Sequence, residues 1–71
     1  MYIEGVIMNG EQLLKMEGIM LLSIINMKLR DEFHKLSYLC EDLDIEEGEL
    51  IKKLKTMGYI YNNQTNQFVL I

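Results

Sequence analysis

Between Leu21 and Leu29 apolar residues return at four-residue steps: Leu21, Ile25 and Leu29 share one helical face and Leu22 joins it. The spacing predicts a helix over about 17–32. Met20, Ile24 and Met27 form a second apolar stripe, leaving Ser23, Asn26 and Arg30 as a narrow polar edge. A surface helix normally carries one apolar stripe, so a helix with two is central or shared. Two readings follow: the N-terminal segment covers the second stripe, or a second copy docks on Met20, Ile24 and Met27.

Downstream, Leu36, Leu39, Cys40 and Leu43 predict a second helix over roughly 35–43, with Asp44-Ile45 as a turn and Ile45 plugging the angle between helices. Leu50, Leu54 and Met57, flanked by Ile51, predict a third helix over roughly 46–57, with Gly58 expected at C′. Early Glu46, Glu47 and Glu49 and late Lys53 and Lys55 complement its dipole, and Glu49 to Lys53 is a favourable four-residue pair. Tyr59-Ile60-Tyr61 and Gln67-Phe68-Val69-Leu70 are β-prone runs around the polar loop 62–66, the pattern of a hairpin. Tyr59 and Tyr61 share a strand face, expected to cover the first helix near Phe68, while Ile60 points away. Residues 2–8, YIEGVIM, have strand character; Asn9-Gly10 is a turn signal, and a short helix over 10–16 is an option.

These elements predict a single α+β, mainly α domain: a three-helix, helix-turn-helix core with a C-terminal hairpin as its wing and a possible third strand from the N-terminus. Residues 1–17 read as an extension and 18–71 as the core. Such a frame commonly grips DNA, placing the start of its second motif helix in the major groove. Here that start carries Glu46, Glu47 and Glu49, where phosphate would have to approach. Candidate DNA contacts are therefore Lys52 and Lys55, with Asn63, Gln64 and Asn66 on the wing. Glu41, Asp42, Asp44, Glu46, Glu47 and Glu49 instead gather around the turn, a patch suited to a basic protein or to imitating nucleic-acid charge.

Composition narrows the chemistry. Eleven acidic against seven basic residues give a formal charge of −4, which repels nucleic acid at long range. One cysteine and one histidine, Cys40 and His34, leave no internal disulfide and too few ligands for a closed zinc site. A chain of 71 residues is near the lower limit for a self-sufficient core, which favours a partner chain. His34 and Cys40 lack nucleophile–base spacing, and Asp31 and Glu32, as helix neighbours, do not converge. The expectation is no catalysis, no metal, no cofactor and no small-molecule substrate. The apolar run 19–27 ends at Lys28, too short for a membrane span, and the start lacks the features of a secretory signal, so a reducing cytoplasm is expected.

The strings NMKLRDE at 26–32, GYIYN at 58–62 and NQF at 66–68 resemble a small bacterial family, domain of unknown function 4250, over residues 20–68. The resemblance implies a short cytoplasmic protein and transfers no catalytic residues. Within these strings Asn26 and Arg30 lie four apart, and two roles stand open: a polar network with Asn66 or the Tyr61 hydroxyl that fixes the first helix to the wing, or an outward-facing binding site. The expected function is a non-enzymatic regulatory or protein-interaction module. DNA-binding regulation, or acidic inhibition of a nucleic-acid-handling protein, are the alternatives.

Overall fold

The computed structural model describes residues 10–71, with side chains from Leu13 onward. The strand expected at 2–8 lies outside the described residues. Four helices precede a hairpin: α1 Gly10–Lys15, α2 Gly18–Asp31, α3 Leu36–Leu43, α4 Glu47–Lys55, β1 Tyr59–Asn62 and β2 Gln67–Leu70. The class is α+β, mainly α. α1 adds a fourth helix to the three-helix core.

The stripe of α2 becomes the centre of the core: Leu21, Leu22, Ile25 and Leu29 are buried against Leu36, Leu39 and Cys40 of α3, Ile45, Leu50 and Leu54 of α4, and Phe68 of β2. Each fully buried leucine contributes about 1.5–3 kcal/mol by leaving water. α1 adds Leu13, 1% exposed, and packs on α4.

The α3–α4 connection turns on Asp44, which is left-handed with φ 57°. The Ile45 N–H donates to the Cys40 carbonyl at 2.9 Å and the Asp44 N–H to the Glu41 carbonyl at 3.4 Å. This is a Schellman closure, with Asp at the position glycine usually takes. It drives Ile45 into the core, at 6% exposure.

At its other end α4 stops short of the sequence expectation. The last helical residue is Lys55; the Met57 and Gly58 N–H groups then bond back three residues, to Leu54 and Lys55. Gly58 reverses the chain only afterwards, at φ 91°, so it lies beyond the C′ position expected for it. The hairpin pairs antiparallel in the register Tyr59↔Leu70, Ile60↔Val69, Tyr61↔Phe68 and Asn62↔Gln67. The Asn62 Oδ1 accepts the N–H groups of Gln64 and Thr65 and shapes the loop, and Asn66 closes it at φ 57°.

Candidate functional site

Where α3 hands over to α4, carboxylates crowd the surface. Glu41 and Asp42 end α3, Asp44 holds the left-handed turn, Glu46 precedes α4, and Glu47 and Glu49 stand on its first turn; all six are exposed. For Glu46, Glu47 and Glu49 the position follows from local physics, since acidic groups at a helix start face the unpaired N–H groups and the positive end of the dipole; Glu41 and Asp42, in the last turn of α3, gain nothing from it. The ion pairs among the described residues are Lys28–Glu32 at 3.6 Å and Arg30–Asp31 at 2.8 Å, so neither neutralises this cluster. The Glu49–Lys53 pair expected from spacing does not form. Lys53 is half-buried and its Nζ donates to the Leu14 carbonyl, capping the end of α1.

Beside the carboxylates Tyr38 is 50% exposed, with the Lys35 ammonium 5.6 Å from its ring centroid, within cation–π range. An open groove of about 420 Å³ runs from the start of α3 to the hairpin loop, lined by His34, Lys35, Leu36, Ser37, Glu47, Tyr61 and Asn63. The Glu47 carboxylate stands in that wall.

Of the candidate DNA contacts, Lys52 and Lys55 are exposed in the last turn of α4, and Asn63 and Gln64 are exposed on the hairpin loop. Asn66 is committed elsewhere. Its Nδ2 donates to the Leu29 and Phe33 carbonyls at 2.9 and 2.8 Å, and its Oδ1 accepts the Tyr61 hydroxyl at 2.6 Å. The hairpin thereby satisfies carbonyls around the end of α2.

Asn26 joins the same junction through the Phe68 backbone, while Gln67 Nε2 donates to the Asn26 and Asn66 carbonyls, each at 2.9 Å. Arg30 stands apart from this network. It is exposed and forms a two-bond pair with its neighbour Asp31, holding that carboxyl below its ordinary range chiefly through the hydrogen bond. The network position assigned to Arg30 from spacing belongs instead to Gln67. The signal for it was present in the string NQF, but alternation along the strand did not point it at α2.

The second stripe of α2 divides. Met20 and Met27 are 51% and 45% exposed, whereas Ile24 packs against the core; Ile19, on the side of Ser23 and Arg30, is also exposed, at 60%. Cys40 is 4% exposed, and burial, then the Glu47 carboxylate, push its thiol up to about 11, which disfavours the reactive thiolate. Among the described residues no group of three or more His, Cys, Asp or Glu is arranged to hold a metal ion, and no helix is long and apolar enough to cross a membrane.

The junction of α2 with the hairpin is built from the strings that carried the family resemblance, and comparison decides the matter: the profile of Domain of unknown function (DUF4250) matches residues 15–68. The chain belongs to the DUF4250 family. The match takes in α2, α3, α4 and β1 and ends at Phe68, whereas most of α1 precedes it. Comparisons with curated proteins and with solved structures gave no match. In this DUF4250 chain the polar side chains of Asn26, Asn66 and Gln67 join helix to hairpin, and the carboxylates of α3 and α4 stand exposed.

Proposed function

We propose that this DUF4250 protein is a small non-enzymatic interaction module, regulatory in effect, that docks on a basic protein surface through the α3–α4 face. One observation carries the reading: six exposed carboxylates surround the turn, with none of them in an ion pair among the described residues, next to a half-exposed tyrosine. Carboxylates steer a cationic partner into place, and an exposed tyrosine beside them supplies an apolar anchor of the kind found at contact hot spots. On the helix-turn-helix reading of α3 and α4, the helix that would enter the DNA groove leads with Glu47 and Glu49, and phosphate meets repulsion there.

The test uses the full chain immobilised at low salt in extract of its native cell. Wild type retains a basic protein that salt releases, and the Glu41→Gln/Glu46→Gln/Glu47→Gln/Glu49→Gln variant, folded by circular dichroism, loses it. Equal retention by the variant sinks the reading. So does a gel shift on random duplex that weakens as salt rises, which is the signature of phosphate contacts.

A further inference from the structure

We propose that β1 is a self-association edge: it pairs antiparallel with β1 of a second copy about a two-fold axis between the two Ile60 residues. Ile71 N–H donates to the directly opposite Gly58 carbonyl at 2.8 Å, which fixes the phase of the ladder. In an antiparallel pair the bonded positions alternate. Gly58, Ile60 and Asn62 therefore direct their backbone groups at β2, and Tyr59 and Tyr61 direct theirs outward. By the same phase Phe68 faces outward from β2, and there the Asn26 carboxamide meets both its N–H and its carbonyl. One edge of the hairpin is closed by a side chain. The other, along β1, has no backbone partner among the described residues.

The open edge is complementary to itself. Centred on Ile60, an antiparallel second β1 sets Tyr59 of each copy opposite Tyr61 of the other, and all four outward N–H groups meet outward carbonyls. Ile60 then faces Ile60, extending the Ile60↔Val69 rung into an apolar row across four strands. Ile60 is 41% exposed in the monomer and has surface to bury there.

Charge selects the occupant. The seven basic and eleven acidic residues all lie between Glu4 and Lys55, and residues 56–71 carry no charged side chain. Strand edges are commonly protected by lysine, proline or a bulge, and β1 has none of these. Two copies of a chain with net charge −4 repel over most of their surface, which leaves the neutral hairpin and the uncharged stretch 18–27 of α2 as places to meet, and of these the hairpin adds an unpaired backbone edge.

Sedimentation of the full chain across a concentration series reads the mass, expected to move from 8.4 kDa to twice that value. In a sample mixing labelled and unlabelled chains, NMR shows an intermolecular Ile60 Hα–Hα contact, because Ile60 forms a non-bonded pair with Cα atoms about 4.5 Å apart. Ile60→Lys places two cations at the axis and is expected to leave only monomer, whereas Met20→Glu/Met27→Glu leaves the dimer intact. Should Ile60→Lys unfold, amide exchange at Tyr59 and Tyr61 in wild type decides, slowing with concentration if the edge is shared. A monomer at every concentration overturns the proposal. So does a dimer that survives Ile60→Lys in folded protein, or one that Met20→Glu/Met27→Glu abolishes, which assigns the contact to α2. None of these outcomes bears on the acidic face.

Discussion

The Asn26 carboxamide lies against Phe68 as one more peptide unit would, its Nδ2 donating to the Phe68 carbonyl at 3.0 Å and its Oδ1 accepting the Phe68 N–H at 2.7 Å. A side chain of α2 thus completes the outer edge of β2. Removing it in Asn26→Ala leaves the part-buried Phe68 groups unpaired, an expected loss of about 1–3 kcal/mol in urea unfolding. Asn26→Asp keeps the acceptor but turns a second oxygen toward the Phe68 carbonyl. Its neutral acid form can donate there, so the folded-state pKa rises above the unfolded value of about 3.9. The raised value means the acid's contribution is present below the unfolded pKa and lost as pH rises through the folded one. Asn26→Asp should therefore unfold at lower urea than wild type at neutral pH and close that gap on acidification.

Asn66 combines two demands that different residues usually meet. Its backbone is left-handed at φ 57°, and its side chain makes three hydrogen bonds, to Leu29, Phe33 and Tyr61. Asn66→Gly relieves the backbone and loses the bonds, at about 2–4 kcal/mol. Asn66→Ala loses the bonds and adds about 1–2 kcal/mol of left-handed strain. Alanine is expected to unfold at lower denaturant than glycine, the reverse of their order in a helix. Equal midpoints would mean that the backbone conformation costs nothing.

How these junctions were legible differs residue by residue. The four-residue repeat of Leu21, Ile25 and Leu29 identified the buried face of α2, and Ile45 was placed in the core from its position in the turn. The same periodicity grouped Asn26 with Arg30 but could not rank them. Four residues advance a helix by one turn plus about 40°, which carries Arg30 further from the core than Asn26 and out into solvent. Lys53 escaped for another reason: its partner is a carbonyl on α1, and helix spacing describes only neighbours on the same helix. The exposure of the six carboxylates was readable, since charges at a turn depend on local sequence. The open edge of β1 was not, because the phase of a ladder is fixed by pairing rather than by composition.

Two glycines should answer an alanine in opposite directions. A Cβ on Gly48, in the first turn of α4, meets nothing within 4 Å. Gly48→Ala lowers the entropy of the unfolded chain and improves helix propensity, an expected gain of about 0.5 kcal/mol. Gly58 sits at φ 91°, where any Cβ is strained, although the nearest atom, Leu70 Cδ1, is 3.7 Å away. Gly58→Ala is expected to cost about 1–2 kcal/mol through backbone conformation alone. Thermal melts of the two variants check the sign, and a stabilised Gly58→Ala would contradict the left-handed turn.

Cys40 is expected to contribute to the alkaline limb of the stability curve. Burial first, and the Glu47 carboxylate second, raise its thiol from 9.0 to about 11. A raised folded-state value means the folded protein holds the proton after the unfolded chain releases it. The stabilising contribution is therefore full below pH 9.0 and is lost as pH rises toward about 11. Cys40→Val keeps an apolar side chain of similar size and removes the titration. Its urea midpoint should fall less than that of wild type between those pH values, the difference isolating the thiol. In folded wild type, alkylation by iodoacetamide stays slow until the pH nears that value, and Glu47→Gln moves its onset downward. Fast alkylation of folded wild type near pH 8 would show instead that the thiolate is accessible.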